Sequence, residues 1–126
     1  MPLKNARPVA MITTRDRKAA EPFYGETLGL KPAPGDGFAA LYEIEGGKLR
    51  LTEVPGFEAS AYPVLGFEVD DIKAAVDDLV GKGVTMNIYE GLGQDADGIW
   101  TAPDSSCKVV FFNDPDGNGL SLTQVL

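Results

Sequence analysis

Histidine is absent from this 126-residue chain, and cysteine occurs once, as Cys107. Without histidine the chain cannot build a Ser-His-Asp triad, and it lacks the commonest transition-metal ligand. One cysteine excludes an internal disulfide and any thiolate cluster for zinc or iron–sulfur. We interpret Cys107 as a small apolar strand residue, because no histidine is available to activate its thiol. A lone thiol fits a reducing compartment.

Long apolar runs and positive charge are also scarce. No stretch approaches the roughly 20 apolar residues of a membrane span, so we expect a cytoplasmic protein with no membrane partner. The chain has 11 basic and 19 acidic side chains and a net charge of −8. This charge repels phosphate backbones and predicts no nucleic-acid partner. It favours a cationic ligand, although many proteins are acidic for solubility alone.

What the chain does contain is an internal repeat of two copies. The N-terminal part of the repeat recurs at a spacing of 55 residues and the C-terminal part at a spacing of 71: Pro8-Val9 matches Pro63-Val64, Asp16 matches Asp71, Lys18-Ala19-Ala20 matches Lys73-Ala74-Ala75, and 46–54 matches 117–125. The repeat predicts one domain of two modules, about residues 5–57 and 60–126. About sixteen additional residues of the second module are expected near Tyr89 to Ser106.

Apolar runs between turn residues predict three strands in each module. The predicted strands are 9–13, 38–43 and 48–54 in the first module, and 64–69, 108–113 and 120–125 in the second. Gly46-Gly47 is expected to join the first hairpin, and Asp114 to Asn118 the last. Gly56 to Tyr62 is interpreted as the linker between the modules.

One helix is predicted in each module. Asp16 can cap a helix over about Arg17 to Leu28, but Pro22 suits only a first turn, so regular helix is expected to begin nearer Ala19 or Ala20. In the second module Asp70 or Asp71 is expected as the cap, and Gly83 as the end. Its apolar positions are Ile72, Ala75, Val76, Leu79 and Val80.

Three motifs make the chain similar to a known superfamily. They are Ala20-Glu21-Pro22-Phe23-Tyr24 followed by Leu28-Gly29-Leu30, Val69-Asp70-Asp71-Ile72 with Lys82-Gly83-Val84, and 111–120, which reads FFNDPDGNGL. In order and spacing they resemble the glyoxalase, bleomycin-resistance and extradiol-dioxygenase (vicinal oxygen chelate) superfamily over essentially the whole chain. The resemblance implies an α+β fold in which two βαβββ modules form a curved mixed sheet, a half-barrel cleft for the ligand, with helices outside. It also implies a homodimer.

The resemblance further implies where a metal would bind. Metal-dependent members use a histidine or glutamine on each module's first strand and a glutamate on each last strand. Here these positions fall on or next to Val9, on Val64, and on Arg50 and Ser121. Two valines, a hydroxyl and a positive charge cannot hold a divalent ion, so we expect no metal and no cofactor. The alternative is an oxygen-ligated magnesium or calcium site at Asp95, Asp97 and Asp104, whose spacing matches no recognised metal loop.

Alternation along the strands indicates which side chains line the cleft. Leu49, Leu51, Leu65, Phe67 and Val69 are expected to face the core. The candidate ligand-binding residues are Val9, Arg50, Thr52, Val64, Glu68, Ser121 and Thr123, with Tyr42, Tyr89 and Trp100 at the rim. Arg50 could clamp a ligand carboxylate or phosphate, or could instead form an ion pair with Glu68 that closes the cavity. Trp100 could equally be a packing or dimer contact.

We therefore predict a metal-free, non-catalytic binder of a small molecule, similar to the bleomycin-resistance branch. The alternative is a metal-independent lyase or isomerase in which Glu68 acts as the base and Arg50 stabilises an oxyanion. One glutamate on a strand is a weak signal for a base unless it is buried. An interaction module with no ligand is a third interpretation.

Overall fold

The computed structural model describes residues 2–126 and divides the chain into two compact units. The first unit ends at Glu58 and the second begins at Ala59, inside the segment that the sequence assigned to a linker. Each unit is a βαβββ module with one four-stranded mixed sheet. Within residues 2–126, no helix is both long and apolar enough to cross a membrane.

The first unit has one short helical region and four strands. After a 3₁₀ turn (Leu3–Asn5), its elements are β1 (Val9–Thr14), α1 (Arg17–Pro22), a π-helical segment (Phe23–Thr27), β2 (Lys31–Ala33), β3 (Ala39–Ile44) and β4 (Gly47–Glu53). The strand order is β1-β4-β3-β2, with β1 parallel to β4 and the other neighbours antiparallel. Its buried core includes Ile12, Ala20, Tyr24, Tyr42, Leu49 and Leu51.

The second unit repeats this topology. Its elements are β5 (Pro63–Glu68), α2 (Ile72–Gly81), β6 (Trp100–Thr101), β7 (Cys107–Asn113) and β8 (Gly119–Val125), in the sheet order β5-β8-β7-β6. Its helix packs on β7 and β8. The buried core includes Ile72, Val76, Leu79, Val110, Phe112, Leu120 and Leu122. Leu65, Phe67 and Val69, which were expected in the core, are half-buried, and Val80 on the helix is exposed.

Strand register in both sheets follows the spacing of the sequence repeat. In the first sheet Met11 pairs with Arg50, and in the second Gly66 pairs with Ser121. The next pair on the same face is Thr13 with Thr52 in the first sheet and Glu68 with Thr123 in the second. Residues that match in the sequence repeat therefore occupy equivalent paired positions on the first and last strands of the two modules.

The helix starts are equivalent in the two units. A carboxylate oxygen of Asp16 accepts the N–H of Lys18 at 3.0 Å, and Asp71 accepts the N–H of Ala74 at 3.1 Å, so Asp71 and not Asp70 is the cap. The end of each last strand supplies a second anchor to the first helical N–H. Glu53 Oε1 accepts from Arg17 N, and Gln124 Oε1 accepts from Ile72 N, both at 2.9 Å.

Pro22 does not have the position that the sequence suggested. The helix begins at Arg17 and ends at Pro22, so the expected start near Ala19 or Ala20 is wrong. Proline lacks an N–H and its ring crowds the carbonyl four residues earlier, which prevents the α-helix from continuing. The chain widens into a π turn there, and the N–H of Leu28 donates to the carbonyl of Phe23 at 2.8 Å.

The first hairpin also differs from the expectation. Gly47 is the first residue of β4 and pairs with Ile44, so the two-residue turn is Glu45-Gly46 and not Gly46-Gly47. Gly46 has a φ of 82°, which the turn requires. Gly47 is needed for a different reason, since a Cβ there would lie 2.5 Å from the carbonyl oxygen of Pro8.

Candidate functional site

Each sheet has one face toward the helical layer and one face directed away from it, which we call the helix-distal face. Leu49 and Leu51 on β4 are fully buried toward the helix, as expected. Arg50, which lies between them, points to the helix-distal face because side chains alternate along a strand. In the first unit this face carries the row Met11–Arg50–Leu41, and in the second the equivalent row Gly66–Ser121–Phe111.

Arg50 is held by an acidic partner within its own unit. Its Nη2 lies 3.1 Å from Oδ2 and 3.5 Å from Oδ1 of Asp36, and its side chain is 27% exposed. The ion-pair partner of Arg50 within its own unit is therefore Asp36, and a pair with Glu68, which belongs to the other unit, stays a prediction. The guanidinium is therefore not entirely available to a ligand anion, since its Nη2 already donates to Asp36.

Asp36 is fixed mainly by the backbone. Its Oδ1 accepts the N–H groups of Phe38 at 2.8 Å and Ala39 at 3.0 Å. The hydrogen bond from Phe38 is the largest influence and lowers the pKa of Asp36; desolvation opposes it, and the hydrogen bond and charge of Arg50 lower the pKa further. The loop before β3 thus presents an ionised carboxylate that orients Arg50.

The two valines expected at metal-ligand positions are not the cross-strand neighbours of Arg50 and Ser121. Met11, not Val9, is the cross-strand neighbour of Arg50, because Val9 pairs with Lys48. In the second unit Gly66, not Val64, is the neighbour of Ser121; the pairing shifts between Pro63 and Leu65, so Val64 lies in an irregularity of the ladder.

The implied positions do not fit a divalent metal ion. Val9, Arg50, Val64 and Ser121 offer two valines, a guanidinium and a hydroxyl, and the neighbours Met11 and Gly66 add only a thioether, so no imidazole or carboxylate is present in either set. Across residues 2–126, no group of three or more Asp, Glu or Cys side chains is placed to hold a metal. The alternative oxygen-ligand site is accordingly not formed: Asp97 pairs with Lys73 at 3.0 Å, and Asp95 and Asp104 accept nearby backbone N–H groups.

The helix-distal face of the second unit brings together several of the candidate residues. One row crosses all four strands as Glu68–Thr123–Val109–Trp100. Register and alternation place the following residues on this face: Gly66 and Glu68 on β5, Gly119, Ser121, Thr123 and Val125 on β8, Cys107, Val109, Phe111 and Asn113 on β7, and Trp100 on β6. Val64, in the irregularity of the ladder, is exposed but has no register partner.

Phe111 is a candidate site residue that the sequence did not indicate at the outset. Its ring lies edge-on to that of Tyr89, with centroids 5.7 Å apart. The alternation of β7 could have indicated it, because its neighbours Val110 and Phe112 are both fully buried toward the helix. Together with Trp100, these rings form the aromatic part of the helix-distal face of the second unit.

The segment that carries Tyr89 is well fixed. The N–H of Asn87 donates to the carbonyl of Phe111 at 2.7 Å, and the Asn87 amide donates to Asn113 Oδ1 at 2.7 Å. Gln94 accepts the N–H of Tyr89 at 2.7 Å and donates to the carbonyls of Asn87 and Gly98 at 2.8 Å. Tyr89 is consequently positioned beside Phe111 although its side chain is 48% exposed.

Tyr42 is not where the sequence analysis placed it. It pairs with Leu49, which puts it on the helix-facing side of the sheet, and it is 3% exposed. Its hydroxyl donates to the carbonyl of Glu21 at 3.3 Å, and desolvation raises the pKa of Tyr42. Tyr42, Glu21 and Pro32 border two shallow cavities of about 320 and 540 Å³ beside α1, and the smaller cavity is also lined by Asp36 and Leu41.

Comparison with known proteins agrees with this architecture. The sequence model of the Glyoxalase/Bleomycin resistance protein/Dioxygenase superfamily matches residues 8–122. A solved structure assigned to the glyoxalase family, from Bacillus anthracis, has a TM-score of 0.77 at 15% identity, over 97% of this chain and 96% of that chain. An integron cassette protein from the mobile metagenome of a Halifax Harbour sewage outfall has a TM-score of 0.73 at 18% identity, over 96% and 99% of the two chains.

A third solved structure carries the superfamily's full description. The glyoxalase/bleomycin resistance protein/dioxygenase from Alicyclobacillus acidocaldarius has a TM-score of 0.69 at 22% identity, over 97% of this chain and 92% of that one. At these identities the likeness shows the fold. A comparison with curated proteins finds no match. Because the family match covers both modules, the chain belongs to the glyoxalase/bleomycin resistance protein/dioxygenase superfamily.

Proposed function

We propose that this protein binds a small molecule on the helix-distal faces of its sheets without using a metal ion. The observation that carries the proposal is the set of side chains around Arg50 and Ser121, where the resemblance implies metal-binding glutamates. Val9 and Val64, at the implied first-strand positions, and the cross-strand neighbours Met11 and Gly66 supply no imidazole or carboxylate, so the set does not suit a divalent cation. They are suited to ligand contact, since they combine an apolar surface, hydrogen-bond donors and space.

The surroundings of Arg50 support ligand binding. Met11 is 68% exposed beside it, and Thr13 and Thr52 form the adjacent pair on the same face. An apolar surface with a few oriented polar groups is the usual composition of a small-molecule site. Asp36 engages one nitrogen of Arg50, which leaves the rest of the guanidinium fork to donate to a ligand.

Binding accounts for these residues better than metal-free catalysis does. The proposed base of a lyase or isomerase, Glu68, is exposed on β5. A carboxylate becomes an effective general base at neutral pH through burial or a like-charged neighbour, and neither surrounds Glu68 in its own sheet. We therefore assign Glu68 to binding.

We further propose that the protein acts as a cytoplasmic homodimer. Leu3, Phe38 and Tyr62 each expose more than three quarters of their surface, and such apolar area is available for subunit association. The unpaired Cys107 is suited to a reducing compartment. Sedimentation equilibrium at micromolar concentration tests the assembly, and a monomer at all concentrations would contradict it.

The binding proposal can be tested by ligand-detected and protein-detected NMR in the presence of a chelator. Tag-free protein treated with EDTA is titrated with aromatic amines, aromatic carboxylates and neutral aromatic compounds, and amide shifts are mapped on the sheets. We expect shifts on β1 and β4 or on β5 and β8, and weaker binding after Arg50→Met or Ser121→Ala. Glu45→Gln, in the exposed β3–β4 turn, is the matched control and should bind as the wild type does.

Two results would contradict this proposal. Binding that appears only after a metal is added would show that this chain binds its ligand through a metal ion. Shifts confined to the helix-facing side, around Tyr42 and Glu21, would move the site away from the helix-distal faces.

A further inference from the structure

The helix-distal face of the second unit has an unusual distribution of charge. Of the residues that register places on it, all of which the structure describes, Glu68 is the one with a formal charge. Lys108 and Gln124 pair with each other and point to the opposite side of the sheet. The face is otherwise composed of hydroxyls, an amide, small residues and apolar or aromatic side chains.

Glu68 has unused capacity to accept hydrogen bonds. It is exposed, and within residues 2–126 the structure gives its carboxylate no hydrogen bond and no ion pair. Its cross-strand neighbour is Thr123, and the next residue on the same face of its own strand is Gly66. A Cβ at Gly66 would lie 2.8 Å from Ser121 Oγ, so glycine makes room for the Ser121 hydroxyl beside β5. An incoming donor can reach the carboxylate because Glu68 is exposed.

Aromatic surface lies on the other side of the same face. Phe111 continues the row of Gly66 and Ser121, Tyr89 packs edge-on against it, and Trp100 ends the row that starts at Glu68. Phe111 and Trp100 are half-buried, and hydrogen bonds through Asn87 and Gln94 fix the backbone that carries Tyr89. These rings therefore offer an apolar surface that needs little ordering on binding.

The spacing of strands sets the shape of a matching ligand. Two strand spacings separate Gly66 from Phe111, which is roughly 10 Å. A molecule with its charge at one end and a flat apolar body at the other spans this distance. An anion finds no cation on this face, and the net charge of −8 adds to its repulsion.

We infer that the helix-distal face of the second unit binds an organic cation, a protonated amine or guanidinium attached to a flat aromatic body. The cation pairs with Glu68, and the aromatic body lies over Gly66 and Ser121 against Phe111. This inference rests on the proposed small-molecule function and names its ligand class. Charge-assisted hydrogen bonds to Glu68 then supply selectivity, and the rings supply affinity that does not depend on charge.

Three probes with the same indole ring test the inference: tryptamine, a cation at pH 7; tryptophol, which is neutral; and indole-3-propionate, an anion. Dissociation constants are measured by NMR titration on the full chain at low and at physiological salt. We expect tryptamine to bind at least about tenfold more tightly than indole-3-propionate, with amide shifts on β5, β7 and β8. Tryptophol should lie between them.

Variants separate the two parts of the site. Glu68→Gln should weaken tryptamine binding about tenfold and leave tryptophol nearly unchanged, whereas Phe111→Leu should weaken both several-fold. Glu45→Gln removes the same charge from a distant turn and should change neither. Thermal melts of each variant confirm that the fold is retained.

The outcomes distinguish this inference from the function on which it rests. Equal affinity for tryptamine and indole-3-propionate, or an unchanged tryptamine affinity in Glu68→Gln, overturns the cation assignment. Preferred binding of the anion with shifts on β1 and β4 retains small-molecule binding and also overturns the cation assignment. Specific ligands bind in the micromolar range, so probes up to about 10 mM would reveal even much weaker binding. If no probe shifts amide signals on either helix-distal face at that concentration, both the cation assignment and the small-molecule function are overturned.

Discussion

Arg50 illustrates how the partner of one residue determines what that residue can do. From the sequence alone, Arg50 is expected to offer its positive charge to an anionic ligand. In the folded chain Asp36 pairs with it at 3.1 Å, and the backbone N–H groups of Phe38 and Ala39 hold Asp36 in place. Because both side chains are partly exposed, this ion pair contributes little to stability. Its effect is to orient the guanidinium.

The coupling between Arg50 and Asp36 predicts a titration. Arg50→Ala should raise the pKa of Asp36 but leave it below its usual value, since the N–H of Phe38 is the larger influence. A carboxyl group whose pKa is lower in the folded than in the unfolded state stabilises the folded protein at pH values above its unfolded-state pKa. This stabilisation is lost as the pH falls through the folded-state pKa, which for Asp36 means below about pH 4. Carboxyl-detected NMR measures both proteins. Asp104, whose pKa is lowered by Ser106, is the internal control and should not move; an unchanged Asp36 would contradict the assignment.

Asp114, unlike the partly exposed Asp36, is buried and contributes to the stability of the fold. Its carboxylate accepts the N–H groups of Asp116 and Asn118 at 2.9 Å and the amide of Asn118 at 2.8 Å, and so closes the turn between β7 and β8. Asp114→Ala leaves these donors unsatisfied in a buried turn and should lower the free energy of unfolding by about 2–3 kcal/mol. Urea denaturation measures the change. Glu45→Ala in the exposed turn of the first unit should stay within about 0.5 kcal/mol, and an equal effect of the two would refute this role.

Among the elements, the two helices depend on residues far away in the sequence. Each first helical N–H is bound by the end of the last strand of its module, Glu53 for α1 and Gln124 for α2. The sequence shows the local caps but not these contacts, since nothing local links Ile72 to Gln124. Edge strands were missed for a related reason: β2 and β6 are only three and two residues long, and their pairing with β3 and β7 defines them.

The cap of α2 can be assigned by comparing two adjacent aspartates. Asp71→Ala should lower the free energy of unfolding by about 1 kcal/mol, because the N–H of Ala74 loses its acceptor. Asp70→Ala, one residue earlier and exposed, should change it by less than about 0.5 kcal/mol. Chemical denaturation of the two variants provides the measurement. If Asp70→Ala were the more damaging, the cap would have to be reassigned.

On the scale of the whole molecule, the two modules retain one topology and have diverged in chemistry. Equivalent positions carry Met11 and Gly66 on the first strands, and Arg50 and Ser121 on the last. The first helix-distal face carries an arginine with its own acidic partner. The second carries a lone carboxylate and a set of rings. The two faces therefore differ in charge and in apolar surface.

Metal content tests the proposal for the chain as a whole. Tag-free protein is incubated with nickel, zinc, manganese and ferrous iron, desalted and analysed by elemental mass spectrometry. Because the four positions lack carboxylate and imidazole donors, we expect less than about a tenth of an equivalent of each metal. A metal-dependent member of the superfamily, treated in parallel, controls for loss during desalting. Near-stoichiometric retention of any one metal would show that the interpretation of Val9, Arg50, Val64 and Ser121 as a lost metal site is wrong.

The repeat, apolar alternation and turn residues predicted two modules, the turn between β7 and β8 and the cap of α1. The superfamily and its βαβββ topology were implied by the resemblance of three motifs and not by these patterns. The sequence also excluded a histidine-based metal site, because an absent residue type cannot be supplied by folding.

Only the tertiary structure decided which residues meet. Parallel pairing of β1 with β4 is set by packing against the helix and not by any turn, so Met11 rather than Val9 became the neighbour of Arg50. The face of a residue depends on this register as well, which is why Tyr42 turned toward the helix and Phe111 joined the site. The partner of Arg50 came from a loop whose backbone N–H groups fix Asp36, and the geometry of such a loop exists only once the strands around it have formed.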